Sequence, residues 1–303
     1  MNTRKRTTTD APGGQIRELL AGWYREHGRH SLPWRLTRDT YAVLVSEVML
    51  QQTQVERVVP RYVRWLGRWP AAAALATEPP AEVIREWGGL GYNRRALHLL
   101  GAAVALSTLA QGSRLSVAEL RALPGVGSYT AAAVACFANE EHVAVIDTNI
   151  ARVVGRALLG QASPRNVPAR NTAGAAESLL PAVGERDHNL GLMDLGATVC
   201  TARNPGCDVC PLSRRCAWLA AGKPPGARPV ARQQPFETTA RFARGRIVAA
   251  LRSIPSLGED ETRALLPRAH QPRACDYLQS LERDGLLEQQ DGRWALVGGF
   301  TAG

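Results

Sequence analysis

Four cysteines stand close together in the second half of this 303-residue sequence, separated by six, two and five residues: Cys200, Cys207, Cys210 and Cys216. Four thiolates in so short a segment can converge on one metal centre, and they suit either a structural zinc ion or a 4Fe–4S cluster. The spacing alone leaves these two alternatives open. Clustered cysteines indicate a metal site in a reducing compartment, and not a disulfide framework. Cys136 lies in a run of alanines and is predicted to be a small core residue.

A second motif lies upstream, in residues 123–130. Pro124 ends one helix, two glycines permit a tight turn, and Thr130 with the alanines after it starts another helix. The unpaired N–H groups at the start of that helix and its dipole would bind an anion, and a phosphate of a nucleic-acid backbone suits them. The alternative is an ordinary helix-loop-helix corner. Under the first interpretation the phosphate-binding residues are Gly125, Val126, Gly127 and Thr130.

Two carboxylates lie where they could take part in catalysis. Glu47 is surrounded by the apolar residues of 43–50, where burial would raise its pKa towards that of a proton donor. The alternative is an exposed glutamate on a polar stripe with Gln51 and Gln54. Asp147 precedes the helical run 150–154 and is typical of an N-cap, which would hold its charge in a fixed place.

Composition limits the function classes. The formal net charge of +10 and the pI of about 9.9 favour a polyanionic partner. No apolar run of 18 residues is present, so no membrane span is expected. Residues 1–14 are polar and basic, unlike a signal peptide, and are expected to form a disordered tail.

Helical spacing of apolar residues dominates the sequence from Ile16 to Trp218 and predicts an all-α core. The segments concerned are 41–59, ending at Pro60, then 62–69, 80–87, 96–109 and 116–122. Residues 222–236 are rich in proline and indicate a linker. In 237–303 we expect helices over 241–252, 260–266 and 274–284, then strands 285–288 and 293–296 around a turn, which together form a winged-helix-like α+β module. Whether its third helix enters a DNA groove or only packs a core stays open.

The hairpin, Asp147 and the cysteine spacing together resemble the endonuclease III superfamily of DNA glycosylases. The resemblance implies a mainly α helix-hairpin-helix glycosylase fold in residues 15–221. A six-helix barrel domain would take 31–143, and an iron–sulfur cluster domain would take 15–30 and 144–221. It also favours one structural 4Fe–4S cluster over zinc, held by the four clustered cysteines.

Within that superfamily, the stretches 32–35, 46–55 and 89–92 are similar to adenine DNA glycosylases of the MutY type, which remove adenine paired with 8-oxoguanine or guanine. Cleavage of an N-glycosidic bond needs an acid beside the departing base and an anion beside the sugar. The resemblance assigns the first role to Glu47, which would protonate adenine N7, and the second to Asp147, with assistance from Tyr129 and Asn149. It implies contacts to DNA and to the extruded base from Trp34, Arg35, Leu50, Gln52, Thr53, Leu90 and Tyr92.

Lysine is almost absent: Lys5 and Lys223 are the only two in the chain. Bifunctional members of the superfamily carry a hairpin lysine that forms a Schiff base with the sugar, and Tyr129 stands at that position here. We therefore expect base release without efficient strand cleavage at the abasic site.

Two features depart from the family pattern. Leu190 stands where a polar residue would face the adenine, and residues 237–303 are too few for the Nudix-like domain that commonly senses 8-oxoguanine. A thymine or uracil mismatch glycosylase and a non-catalytic iron–sulfur DNA-binding protein are the alternatives. Glu47 with Gln51, Gln52 and Thr53 argues against the first alternative, and the presence of two carboxylates argues against the second. The sequence thus predicts a monomeric base excision repair enzyme of the bacterial cytoplasm, associated with the nucleoid and acting on double-stranded DNA.

Overall fold

The computed structural model of this chain describes residues 12–110, 112–226 and 234–300. In that part of the chain it contains fifteen α-helices and one antiparallel pair of strands. The helices are α1 Pro12–His27, α2 Thr40–Leu50, α3 Val55–Arg68, α4 Ala72–Ala76, α5 Pro80–Glu86, α6 Arg94–Ser107, α7 Val117–Arg121, α8 Ser128–Asn139, α9 Thr148–Ala157, α10 Ala169–Ser178, α11 Glu185–Thr198, α12 Ala217–Ala220, α13 Ala240–Leu251, α14 Glu259–Leu265 and α15 Ala274–Arg283. The strands are β1 Leu287–Gln290 and β2 Arg293–Leu296.

The mainly helical fold is confirmed, and the described residues between Ile16 and Trp218 include no strand. No described helix combines the length and the apolar character that crossing a bilayer requires. The expected tail, 1–14, is three residues too long, because α1 begins at Pro12. A proline suits the start of a helix because it has no N–H group, and an N–H group there would have no partner within the helix. Residues 1–11 of that tail, and residues 227–233 of the expected linker, lie outside the described residues.

One helix prediction is wrong. Residues 41–59 do not form a single helix ending at Pro60: α2 ends at Leu50, and α3 begins at Val55 and continues through Pro60. Between them Gln52 has a φ of +55°, a left-handed conformation that no helix continues through. Pro60 removes only one backbone bond, to Glu56, and both residues lie on the exposed side of α3 where water can reach the freed carbonyl.

The described residues divide into two compact units, and α2 runs from the first into the second. The first takes those within Met1–Val43, Arg114–Arg121 and Val126–Val230. In it α11 packs against α1 and α9, and α8 packs against α7. Gly196 of α11 lies so close to α9 that a Cβ there would come 2.7 Å from the Cβ of Asn149. A glycine on α11 is therefore required for α9 to approach at its first turn.

The second unit takes Leu44–Ser113, Ala122–Gly125 and those described within Ala231–Gly303. Trp65 meets Trp69 and Trp87 edge to face, with ring centroids 4.6 and 5.5 Å apart. The C-terminal module has the expected order of three helices and a hairpin, and its buried side chains share one core with Ala81 and Ile84 of α5. The domain boundaries given above stay a prediction.

The hairpin at the end of the module is tighter than expected. β1 pairs with β2 from Leu287–Leu296 to Gln290–Arg293, which leaves Asp291 and Gly292 as the loop. Both loop residues have positive φ, +49° and +73°, as a type I′ turn requires. The turn therefore has two residues where the sequence indicated four.

Candidate active site and metal centre

Glu47 lies on α2, in a helix whose residues 41–49 are all buried. Its side chain is 5% exposed, so the alternative of an exposed glutamate on a polar stripe is wrong. Glu47 is therefore a buried carboxyl group of α2.

Asp147 caps the start of α9, as its position in the sequence predicted. One carboxylate oxygen accepts a hydrogen bond from the Ile150 N–H at 2.6 Å, and the other accepts one from the Asn149 amide at 2.9 Å. Burial raises the pKa of Asp147 above its ordinary value, and these two donors partly offset that rise. The carboxylate is thus fixed in direction by the helix and by its neighbour.

Arg152 extends this network to the cysteine segment. Its guanidinium donates to the Asn149 side-chain oxygen at 2.8 Å, to the Gly196 carbonyl at 2.6 Å and to the Cys200 carbonyl at 2.7 Å. Asn149, whose amide orients Asp147, is therefore itself held by Arg152. Arg152 is also hydrogen-bonded to Cys200, the first of the four clustered cysteines. Sequence reasoning missed this arginine.

The four clustered cysteines line one small cavity of about 20 Å³ that is partly open to solvent. Arg156 lies beside it, with a guanidinium nitrogen 3.4 Å from the Cys200 sulfur and the charge stacked on the Trp218 ring at 4.6 Å. Burial raises the pKa of Cys210 to about 11, so a metal would have to supply the charge that stabilises its thiolate. These four thiols, with a cation at their side, could hold an anionic metal–sulfur centre.

Among the described residues, no three His, Cys, Asp or Glu side chains are close enough to hold a single metal ion. Yet the four thiols face a common space, and none of them is in a disulfide. One zinc ion needs four sulfurs about 2.3 Å from a single point. In a four-iron cluster each thiolate binds its own iron, so the four sulfurs stand further apart than they do around one zinc ion. The choice between a cluster and zinc stays a prediction.

Two loops of the second unit carry four of the residues expected to meet DNA. Gln52 and Tyr92 are exposed, and both have left-handed backbone conformations, with φ of +55° and +46°. Thr53 is half-buried and Leu90 is buried, so these two expected contacts lie deeper than Gln52 and Tyr92. Non-glycine residues rarely adopt positive φ, and such strain persists where surrounding contacts fix it.

Arg95 fixes both loops. This residue of α6 is 9% exposed and donates to the carbonyls of Val48 and Gln51 at 2.7 Å and of Leu90 and Gly91 at 3.0 Å. One guanidinium thus joins the end of α2, the helix of Glu47, to the loops of Gln52 and Tyr92. Sequence reasoning missed it, although a charged residue in phase with the apolar positions of α6 was the available signal.

The expected base-pocket residues differ in their surroundings. Trp34 is buried, Leu50 is half-buried, and the expected departure at Leu190 lies buried on α11. Arg35 forms a bidentate pair with Asp194, at 2.6 and 2.7 Å. Burial would raise the pKa of Asp194, but the hydrogen bonds and charge of Arg35 outweigh burial and hold it below its usual value. The terminal nitrogens of Arg35 are therefore engaged by Asp194.

The hairpin has the expected tight turn and close approach at Gly125, but Gly127 is extended, with a φ of −83°, and nothing lies within 4 Å of where its Cβ would stand. Gly125 has a φ of +73°, and a Cβ there would come 2.4 Å from the Cβ of His98. Gly127 is the N-cap of α8, which begins two residues earlier than Thr130. Val126 and Thr130 are buried, and Tyr129 is half-buried. Phosphate binding at this corner stays a prediction.

The structure brings together Asp147 and Asn149 in one unit, and Gln52, Leu90 and Tyr92 around Arg95 in the other. The pairing of Glu47 with Asp147 stays a prediction, because the two residues belong to different units.

Comparison with known proteins identifies the family. Residues 45–175 match the model of the HhH-GPD superfamily of base excision DNA repair proteins. The adenine DNA glycosylase of Mycolicibacterium smegmatis is 46% identical over 293 residues, which cover 93% of this chain and 95% of that protein. This match extends into the C-terminal module.

Solved structures agree on the fold. A thermostable thymine-DNA glycosylase is 30% identical with a TM-score of 0.63, covering 71% of this chain and 100% of its own. An endonuclease III in a trapped covalent complex with DNA is 20% identical with a TM-score of 0.57, covering 69% and 98%. The chain therefore belongs to the adenine DNA glycosylase family, within the HhH-GPD superfamily of base excision DNA repair proteins.

Proposed function

We propose that this protein removes adenine paired with 8-oxoguanine or guanine from double-stranded DNA by hydrolysis of the N-glycosidic bond. The observation that carries the proposal is the 46% identity, along nearly the whole chain, to a protein named adenine DNA glycosylase. The buried position of Glu47 supports it, because a purine leaves more readily once its ring nitrogen is protonated.

In the proposed mechanism the target adenine leaves the base stack and Glu47 donates a proton to its N7. The glycosidic bond breaks, and positive charge develops on the deoxyribose. Asp147, held by the Ile150 N–H and the Asn149 amide, stabilises that charge until water adds to the sugar carbon. Tyr129 and Asn149 act beside the sugar.

The chemistry is proposed to stop at the abasic site. Strand cleavage by the Schiff-base route needs a primary amine, and Lys5 and Lys223 are the only lysines. A 4Fe–4S cluster is proposed as the cofactor, held by the four cysteines that line the cavity beside Arg156. When bound, the cluster would stabilise the segment that contains these cysteines, and the carboxylates Glu47 and Asp147 carry out the reaction. We further propose that the enzyme acts as a monomer on nucleoid DNA in the bacterial cytoplasm.

The test is single-turnover base release from four duplexes that carry A opposite 8-oxoguanine, A opposite G, T opposite G and U opposite G. We expect release of adenine from the first two alone. Release of thymine or uracil instead would establish the mismatch-specific alternative, which the likeness to the thymine-DNA glycosylase keeps in view.

Variants of the two carboxylates test the mechanism. Glu47→Gln and Asp147→Asn keep the side-chain shape and should each lower the rate at least ~100-fold while the duplex still binds. Thr148→Ser, an exposed neighbour of Asp147, is the matched control and should leave the rate unchanged. A rate unaffected by either carboxylate substitution would refute the assignment of these residues.

A further inference from the structure

The C-terminal module is part of the second unit and packs against other residues of that unit. Arg252 of α13 donates to the Ile84 carbonyl at 3.0 Å and to the Asn93 side chain at 2.8 Å. A Cβ at Gly298, after β2, would lie 3.3 Å from Pro80, so the chain touches α5 closely there. Contacts from the module thus reach the loop that contains Tyr92.

Tyr92 itself is held from two sides. The guanidinium of Arg95 lies 5.6 Å from the centre of its ring, and that of Arg241, at the start of α13, lies 5.1 Å from it. Arg241 also donates a hydrogen bond to the Tyr92 hydroxyl. Arg241 also stacks on Phe236, with its guanidinium 5.1 Å from the centre of that ring. The module therefore supplies a cation between two aromatic rings, one of which is the exposed tyrosine.

This contact acts on a side chain at the surface. Tyr92 is 42% exposed, and its φ of +46° is unfavourable for any residue with a Cβ. Arg95 fixes the backbone of the loop from inside, but the direction of the ring depends on what surrounds it at the surface.

The third helix of the module, α15, is poorly suited to bind DNA directly. Its exposed residues are Asp276, Gln279, Glu282 and Arg283, so carboxylates outnumber guanidinium groups on that face.

We propose that Arg241 is a positioning residue, which holds the Tyr92 ring in the direction in which it meets duplex DNA before binding occurs. The proposal rests on the proposed function to the extent that Tyr92 contacts the substrate duplex. It assigns the module a part in substrate recognition that needs no contact between the module and the bases. Preorganisation of this kind improves affinity because less ordering remains for the binding step.

A double-mutant cycle tests this inference by equilibrium binding of a duplex with A opposite 8-oxoguanine. Arg241→Ala should weaken binding roughly two- to fivefold, the range of an exposed cation–π contact. In a Tyr92→Ala background the same substitution should have no effect. Arg241→Lys, which keeps the charge but not the planar group, should recover less than half of the loss. Arg268→Ala is the matched control, because that exposed arginine of the module has no side-chain contact among the described residues.

The salt dependence separates positioning from a direct phosphate contact. Loss of one phosphate contact lowers the slope of log K against log salt by about 0.9, whereas loss of a positioning contact leaves it unchanged. An equal loss of affinity in both Tyr92 backgrounds, or a reduced slope, would overturn the proposal. Adenine release by the unmodified protein is measured on the same duplex, so that failure of the proposed function is seen separately from failure of the cycle.

Discussion

Replacement of Arg95 by methionine should destabilise the second unit strongly. The guanidinium donates to four backbone carbonyls within 3.0 Å, and burial lowers its pKa only to about 10, so it stays charged at neutral pH. Methionine keeps the length and apolar stem of the side chain but donates no hydrogen bond. The substitution therefore removes the donors and leaves the acceptors in place.

The magnitude follows from those acceptors. A hydrogen bond to a charged group contributes about 1.5–3 kcal/mol, so a simple sum over four bonds would far exceed what single substitutions cost. Gly91 keeps a second bond, from the Trp87 ring nitrogen at 3.0 Å, and water can enter beside the exposed loops. We expect a net loss of about 3–5 kcal/mol, which corresponds to a fall in Tm of roughly 5–15 °C.

Thermal unfolding of the purified protein measures this loss, and hydrogen exchange of the amides in residues 51–53 and 89–92 locates it. Arg94→Met is the control, since the neighbouring arginine is exposed and pairs with Asp284 at 3.4 Å. An exposed pair of this kind contributes at most about 1 kcal/mol. If the two variants unfolded within about 2 °C of each other, the view that Arg95 fixes both loops would be refuted.

Three further predictions concern the acid limb, the cluster and the lyase step. Asn149→Ala removes a donor that stabilises the charged form of Asp147, so the pKa of Asp147 should rise further. The acidic limb of the pH–rate profile for adenine release should then move to higher pH. An unshifted limb would disprove this role of Asn149. Cys210→Ser should abolish the visible absorption of the cluster and lower Tm, whereas a colourless protein that contains one zinc ion would contradict the iron assignment. Borohydride should trap no covalent complex with DNA, while a relative with a hairpin lysine run in parallel should be trapped.

The sequence predicts well those parts of the molecule that local chemistry specifies. Asp147 is the N-cap that its position indicated, because the side-chain oxygen can satisfy an N–H of the next turn without help from elsewhere. Cys136 is fully buried, as its run of alanines indicated. The module's helices begin and end within about a residue of the predicted limits, since Thr239 and the acidic first turn of α14 provide start signals.

The sequence predicts poorly what depends on distant contacts. The apolar spacing of 41–59 continues across the break after Leu50, and Arg95, more than forty residues away, binds carbonyls that the break leaves free. The buried roles of Arg152 and Arg156 likewise depend on carbonyls of residues 196–202, about 45 residues further along the chain. An arginine in phase with the apolar positions of a helix is a sign of such a role, but the sequence does not reveal its acceptors.

The four bonds of Arg95 also restrict how this surface can be altered in the laboratory. A loop graft that exchanges only residues 51–54 with those of a relative would replace one of the guanidinium's four acceptors, and a graft of only residues 89–93 would replace two. The end of α2, both loops and the first turn of α6 should therefore be transplanted together. Attempts to redesign substrate preference would have to exchange these segments as one set.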